Sequence, residues 1–438
     1  MPNRPTHYLR MGTHAEKDYL QRGRPLYDKL IFNANLVEAT TAAIAIHIAT
    51  VGKPYLVDPS TYAFALEPSL ITSPRRGPQI KLKRTFASLA AAYRLPIPQS
   101  ELGTRPLRPV DLASAALADF TTAVIEYQRS RLQAALVENA VFIEGDAAGE
   151  HDASLLPDLL FAPYFVDDFT GTWNQVNLDA LAIGAEIAGT KAAAILAWTS
   201  HVARPDQLMQ LARAYADSEI RTVFLWPTDL DEHRAAVPAL EDYAETVRII
   251  SEKKTVHASY GGFFAILLSY RGLSGVSHGV GYGDKRDLEP VGGGGLPPAR
   301  YYLRAVRDGV SLGSLPIIVA GLTQSEFLRR VCDCAICVGL LQAGGVRGLV
   351  QELTATELRT TPNRGLIEVA TPRVYQLTRF HFLLNRHREF DEVQRLGFPE
   401  IASGMREDAA WIAGRLGPQV VRHIEGWLEV ANPGRSLP

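Results

Sequence analysis

Cysteine is nearly absent from this 438-residue chain: there are three, all within Cys332-Asp-Cys-Ala-Ile-Cys337. The chain also lacks an apolar run near the ~20 residues that span a bilayer and a charged-then-apolar leader at its start. Those two absences predict a cytoplasmic protein with no membrane partner. There is no excess of positive charge, the formal net charge being −2 and the isoelectric point about 6.6. Any binding to nucleic acid therefore has to come from a local patch. No strand-Gly-x-Gly-x-x-Gly-helix fingerprint and no phosphate loop ending in Gly-Lys-Ser/Thr occur, so the sequence advertises neither a dinucleotide fold nor an NTP cradle.

The few cysteines present are concentrated in a way that packing does not require, since a buried structural thiol acts singly as a small apolar group. A disulfide would leave one thiol over, and Cys332 and Cys334 are too close for easy closure. A soft metal fits better. Cys332, Cys334 and Cys337 need one imidazole to complete a tetrahedral Cys3His zinc shell, and a closed shell of that kind is structural rather than catalytic. Downstream stand only His381, His387 and His423. His381 lies beside the apolar run of a helical pattern over 375–390 and His387 among charges, which favours His381.

Along the chain, apolar runs alternate with helical patterns. Strands are predicted at Lys29–Asn33, Pro54–Asp58, Tyr164–Asp168, Ala192–Trp198, Thr222–Trp226, Thr255–Ser259, Gly275–His278 and Pro316–Ala320, with helices between them. Eight strands in such alternation predict an α/β protein built as a (β/α)8 TIM-like barrel. Residues 1–28 read as a polar N-terminal extension, 29–330 as the barrel with a helical insertion over about 85–150, and 331–438 as a zinc-binding helical part packed on it.

In a barrel of this kind, active-site groups stand where strands end. Those positions hold Asn33, Asn35, Asp58, Asp167, Asp168, Trp198, His201, Trp226, Asp229, His257, His278, Tyr282 and Asp284. Only one of Asp167 and Asp168 should face the mouth, because side chains alternate along a strand. Ser277-His-Gly-Val-Gly-Tyr-Gly-Asp-Lys-Arg286 combines glycines that permit close backbone approach with a stacking ring, Tyr282, an acid, Asp284, and a cation, Arg286. The loop from Ser73 to Arg84 carries Arg75, Arg76, Lys81, Lys83 and Arg84 with no acid, the composition of a phosphate contact or of a solvated loop. A metal-dependent hydrolase is a further possibility, but the early strands lack the His-x-His that such sites often use.

The Cys-x-Cys-x-x-Cys segment, with Thr378-Arg-Phe-His381 and Asn385 downstream of an eight-stranded barrel, resembles the tRNA-guanine transglycosylase family, including relatives that place 7-deazaguanine bases in DNA. Only the zinc segment is specific; the likeness over residues 30–390 is architectural. Asp58 looks like that family's general-base aspartate, though Pro59-Ser60-Thr61 replaces the usual Ser-Gly-Gly. The stretch that corresponds to the family's nucleophile has His278 in that place, with Asp284 further along the loop. The resemblance implies base exchange on tRNA or DNA: an aspartate attacks C1′, guanine leaves, and a 7-deazaguanine deprotonated by a second aspartate displaces the enzyme. It further implies Asp58 and Asp284 as catalytic carboxylates with Asp168 in reserve, His278 as an orienting or proton-shuttling group, and partner proteins of a DNA-modification system. Tyr282, Trp198 or Trp226 would sandwich the base and Asp58 or Asp168 would bind its edge, with His257, Asp167 and Arg286 nearby. A relative that binds nucleic acid without catalysis is the alternative.

Overall fold

The computed structural model describes residues 4–13, 16–73, 81–139, 156–169, 172–201, 203–281, 284–288, 298–361 and 365–436. At its centre is an eight-stranded sheet of β1 (Thr6–Met11), β2 (Lys29–Asn33), β3 (Tyr55–Asp58), β4 (Leu160–Phe161), β5 (Ala192–Thr199), β6 (Thr222–Thr228), β7 (Thr255–Ala258) and β8 (Leu273–Gly279). Their order is β3-β2-β1-β8-β7-β6-β5-β4, with every pairing parallel. The free edges of β3 and β4 are stitched by the Asp158 amide donating to the Tyr55 carbonyl at 2.8 Å and the Thr61 hydroxyl donating to the Tyr164 carbonyl at 2.7 Å. The sheet is thus a nearly closed, barrel-like wall.

The expected number of strands is present, but membership differs at both ends. Residues 6–11, inside the stretch read as a polar extension, form β1 between β2 and β8. His7 and Arg10 made this segment look polar, yet both are buried and bonded. Conversely, Pro316–Ala320 is no strand: Leu315–Val319 is a short helix with Pro at its first turn. A five-residue apolar run does not distinguish the two by periodicity, and proline suits a first helical turn. The strand expected at Tyr164–Asp168 is reduced to Leu160–Phe161 plus one bridge from Asp167 to Trp198. Pro163 lacks the amide that would continue the ladder.

Side-chain parity sorts residues between the inside and the outside of this wall. Tyr8 and Arg10 on β1 point inward, towards Phe224 and His257 and towards Asp58 respectively, whereas His7 and Leu9 point out. Around the wall lie α1 (Ala34–Val51), α2 (Arg84–Ala92), α3 (Ala115–Glu138), α4 (Trp173–Ala188), α5 (Pro205–Asp217), α6 (Val237–Ser251) and the short α7 (Phe263–Leu267). Helix α1 is 18 residues long and by length and composition could cross a bilayer. Here it buries Val37, Ile44, Ile48 and Val51 in the core it shares with the sheet. Its start is set by Asn33, whose side chain accepts from the Asn35 amide at 2.9 Å, and its end by Gly52 at φ +60°. Helix α3 is tied to the short β4 by Gln128, which bonds both the amide and the carbonyl of Phe161 at 2.9 and 2.7 Å.

Beyond β8, a hairpin (Arg300–Leu303 with Asp308–Ser311) leads to α8 (Gln324–Arg330), α9 (Ala335–Leu353), a second hairpin (Thr356–Thr361 with Gly365–Ala370), α10 (Pro372–Arg395), α11 (Phe398–Leu416) and α12 (His423–Ala431). Helix α10 lies over the seam where β1 meets β8. Its Phe390 stacks on His7 at 4.2 Å, its Phe382 meets His278 edge-on at 5.4 Å, and its Asp391 pairs with Arg4 at 2.9 Å.

Candidate metal centre and binding site

Cys334 caps the N-terminus of α9, with Cys332 just before it and Cys337 in its first turn. The imidazole comes from the middle of α10, which packs back over this turn. All four side chains are buried, and their ligand atoms lie within 4.8 Å of one another. His381 Nδ1 is 3.8, 3.3 and 3.5 Å from the sulfurs of Cys332, Cys334 and Cys337. With Zn–S near ~2.3 Å and Zn–N near ~2.05 Å, a tetrahedral ion would put nitrogen and sulfur about 3.5 Å apart. The set therefore has the dimensions of one metal site.

Its surroundings fix the ligands. His381 Nε2 donates to the Tyr302 carbonyl at 2.7 Å, which turns Nδ1 towards the sulfurs. Tyr301 stacks on the same ring at 4.1 Å and its hydroxyl reaches Cys337 Sγ at 3.2 Å. Asn385, one turn beyond His381, donates towards Cys332 Sγ at 3.5 Å, as does the Cys334 amide at 3.3 Å. His387 takes no part: its Nδ1 faces the Leu26 carbonyl at 3.1 Å. Among the described residues, this is the one group of three or more His, Cys, Asp and Glu side chains close enough to share an ion.

A second site occupies the C-terminal ends of the strands. A cavity of about 650 Å³ opens there, lined among others by Arg10, Asn33, Asn35, Tyr62, Lys83, Tyr260 and Arg286. Behind Arg10 sits Asp58, only 2% exposed. Its carboxylate accepts from Arg10 Nη1, the Tyr164 hydroxyl and the Ser60 amide, each at 2.9 Å, and from the Ser60 hydroxyl at 3.1 Å. Burial alone would raise the Asp58 carboxyl. The charges of Arg10 and Arg286, with hydrogen bonds from Arg10 and Tyr164, hold it below the usual carboxylate range, so it is ionised.

Arg10 is held in turn by the Ser259 carbonyl at 2.7 Å and Ser277 Oγ at 3.0 Å, and lies over the Tyr260 ring at 4.1 Å. Its Nη2 is buried without a partner. Tyr62, Tyr164 and Tyr260 surround Trp226, with ring centres 4.8, 6.4 and 5.5 Å away. Arg286 donates to the Tyr260 hydroxyl at 2.8 Å, and its carbonyl accepts from Trp226 Nε1 at 3.2 Å.

Of the residues expected at the mouth, Asn33, Asn35 and Arg286 line this cavity and Lys83 reaches its rim, while Asp58 and Trp226 stand behind the lining, against Arg10 and Tyr62 respectively. Lys81 and Arg84 are exposed near it, while Arg75, Arg76 and Tyr282 lie outside the described residues. Trp198 points out of the barrel against Tyr243, at 6.1 Å. His257 faces inward but lower down, between Tyr8 and Phe224, where burial depresses its pKa to about 3. His278 is fully buried on the outside of β8, 2.7 Å from His7 Nε2 and beneath α10; burial and the charge of Arg386 lower it to about 3. Parity gives the inward position beside it to Ser277. Asp167 is buried and accepts from the Phe169 amide at 2.7 Å, whereas Asp168 is exposed.

Asp284 lies in a neighbouring cavity of about 150 Å³, paired with Arg386 at 2.7 Å, and burial raises its carboxyl despite that partner. The same cavity is bordered by Glu232, whose carboxyl accepts from the Gly262 and Phe264 amides at 2.8 and 3.0 Å. Burial pushes Glu232 up to about 8. The two cavities share Gly281 and Lys285.

Sequence reasoning missed Arg10, Ser60, Tyr62, Tyr164 and Tyr260. The available signals were the four-residue spacing from Asp58 to Tyr62 and the position of Tyr260 just after β7. No protein-family model matches this sequence, and no curated protein is significantly similar to it.

Proposed function

We propose that this chain catalyses transglycosylase-like base exchange on nucleic acid, replacing guanine in DNA or tRNA by a 7-deazaguanine, with a structural zinc ion in the Cys3His centre. The observation that carries the reading is the mouth cavity. Its volume suits a nucleoside, its wall offers the Tyr62 and Tyr260 rings and several cations, and an ionised carboxylate stands behind Arg10. A base withdrawn from its stack needs such a wall, and a polymer with one negative charge per nucleotide needs the cations.

In this reading Asp58 acts as general base and base-edge ligand, and Asp284 as nucleophile. The Asp284 carboxylate attacks C1′, the glycosidic bond breaks with its electron pair leaving on guanine, and the incoming 7-deazaguanine displaces the carboxylate after giving up a proton. Labelled-guanine exchange into tRNA and into duplex DNA tests this. Uptake into one polymer, together with loss of both uptake and covalent adduct in Asp284→Asn, is expected. An adduct that persists in Asp284→Asn overturns the assignment and turns attention to Asp168.

A second reading, a nucleic-acid-binding relative without catalysis, draws support from the Asp284–Arg386 pair, which holds the carboxylate in the smaller cavity, and from His278 facing away from the mouth. Tight binding of the polymer with no exchange by the intact protein would establish it.

A further inference from the structure

Arg379 is 8% exposed, and its Nε is buried without a hydrogen-bond partner; among the described residues no acid forms an ion pair with it. It lines the smaller cavity beside Lys285 and Arg300. Its nearest support is the Tyr19 ring, 5.2 Å from the guanidinium. Glu16 feels its charge, but the Glu16 carboxylate is occupied by the Gly12 and Thr13 amides at 2.7 and 3.3 Å. The other cations here are matched: Lys285 and Arg234 with Asp231 at 3.3 and 3.8 Å, and Arg386 with Asp284 at 2.7 Å. Arg386 has a second acid as well, Glu389 at 2.9 Å. Glu232, raised to about 8, brings little negative charge at neutral pH. A buried guanidinium N–H without an acceptor is costly, and an anionic ligand removes that cost with charge-assisted hydrogen bonds.

We propose that this smaller cavity is an anion site, with Arg379 as its principal ligand, that takes one phosphate group of a nucleic-acid strand. A volume of about 150 Å³ is below the ~300 Å³ at which small-molecule pockets begin, and has room for one phosphate and its hydration. Because the cavity shares Gly281 and Lys285 with the mouth, a phosphate seated there adjoins a nucleoside in the larger cavity. This step rests on the reading of the mouth as a nucleoside site.

The test has two arms. In thermal melts at matched ionic strength, inorganic phosphate should raise the transition of the wild type by a few degrees, while Arg379→Met, zinc content unchanged, should melt higher than wild type without phosphate and gain nothing from it. Equal gains in both proteins, or none in the wild type, overturn the anion site. In the second arm, a guanosine trinucleotide is compared with one whose internucleotide linkages are uncharged methylphosphonates. The wild type should bind the charged form more tightly, and Arg379→Met should reduce that preference by about tenfold. Phosphate stabilisation through Arg379 with a linkage preference unchanged in Arg379→Met would assign the site to a free anion and overturn the strand. Failure of either trinucleotide to bind, with the phosphate effect intact, would refute the nucleoside reading of the mouth and leave the anion site standing.

Discussion

Replacing Arg10 by methionine tests whether the mouth is organised around a buried ion pair. The substitution keeps an unbranched side chain against the Tyr260 ring but leaves Asp58, 2% exposed, without its counter-charge. Removing one partner of a buried pair costs about 3–5 kcal/mol. Asp58 would keep Tyr164 and two donors from Ser60, and Arg10 itself carries an unpartnered Nη2 that disappears with it, so the lower end, about 3 kcal/mol, is expected. For 438 residues at ~2.1 cal/mol/K each, the unfolding entropy near the midpoint is ~0.9 kcal/mol/K, which makes this a fall of about 3 °C in Tm.

The loss should depend on pH. Asp58 has a depressed pKa in the fold, so its contribution is complete above the unfolded value of ~3.9 and is lost as pH falls through the folded one. In Arg10→Met, burial without the cation leaves a raised carboxyl that protonates early. The gap between the two proteins should therefore be full at pH 7 and close towards about pH 4. Circular-dichroism melts at both pH values, with Asp58→Asn and the double variant, complete the cycle. If the double variant is destabilised by the sum of the single losses, Arg10 and Asp58 are not coupled and the reasoning is refuted.

Elemental analysis should find one zinc per chain, lost in His381→Ala and Cys334→Ser but retained in His387→Ala; retention in His381→Ala would exclude that ligand. Asn385→Ala should hold the metal about 10–100-fold less tightly in competition with a chelator; unchanged competition would deny Asn385 its supporting role. Glu232 binds a proton in the fold up to about pH 8 that the unfolded chain releases near ~4.3, so stability should decline between those values. Glu232→Gln should flatten that decline and exceed wild type in Tm at pH 8.5, and a parallel decline in both proteins would count against it. Changing Lys81, Lys83 and Arg84 to alanine should lower the salt slope of nucleic-acid binding by ~0.7–0.9 for each phosphate contact removed; an unaltered slope would make this stretch a solvated loop.

The Cys3His cluster was legible because confinement of every cysteine to six positions has few physical explanations. Asp58 was legible because it ends an apolar strand. The mouth was only partly so. In a parallel sheet covered on both faces, strands are apolar throughout and lose the alternation that would tell inside from outside. Thus Trp198 and His278, at strand ends like Trp226, turned out to face the outer helices. Arg10 was hidden by a different effect: a strand carrying His7 and Arg10 looks like a solvated tail until the groups they bond, Asp58, Ser277 and His278, are brought from 48 to 271 residues away. Helix α10 was predicted as a pattern, but its two duties were not. His381 and Asn385 meet the cysteine sulfurs from one side, while Arg379, Phe382 and Arg386, spaced three and four apart, face the smaller cavity or its ion pairs.

The place of β1 between β2 and β8 has a consequence for synthesis. On a ribosome making roughly 5–20 residues per second, the strand at Thr6–Met11 emerges roughly 13–54 s before Leu273–Gly279, the only strand that completes its second side. Throughout that interval one edge of β1 is an open hydrogen-bonding template in a nascent chain. Even after the ring closes, the seam lacks its cover until α10 follows, about another hundred residues later. The helical part that follows the sheet in sequence is thus what locks β1 in place.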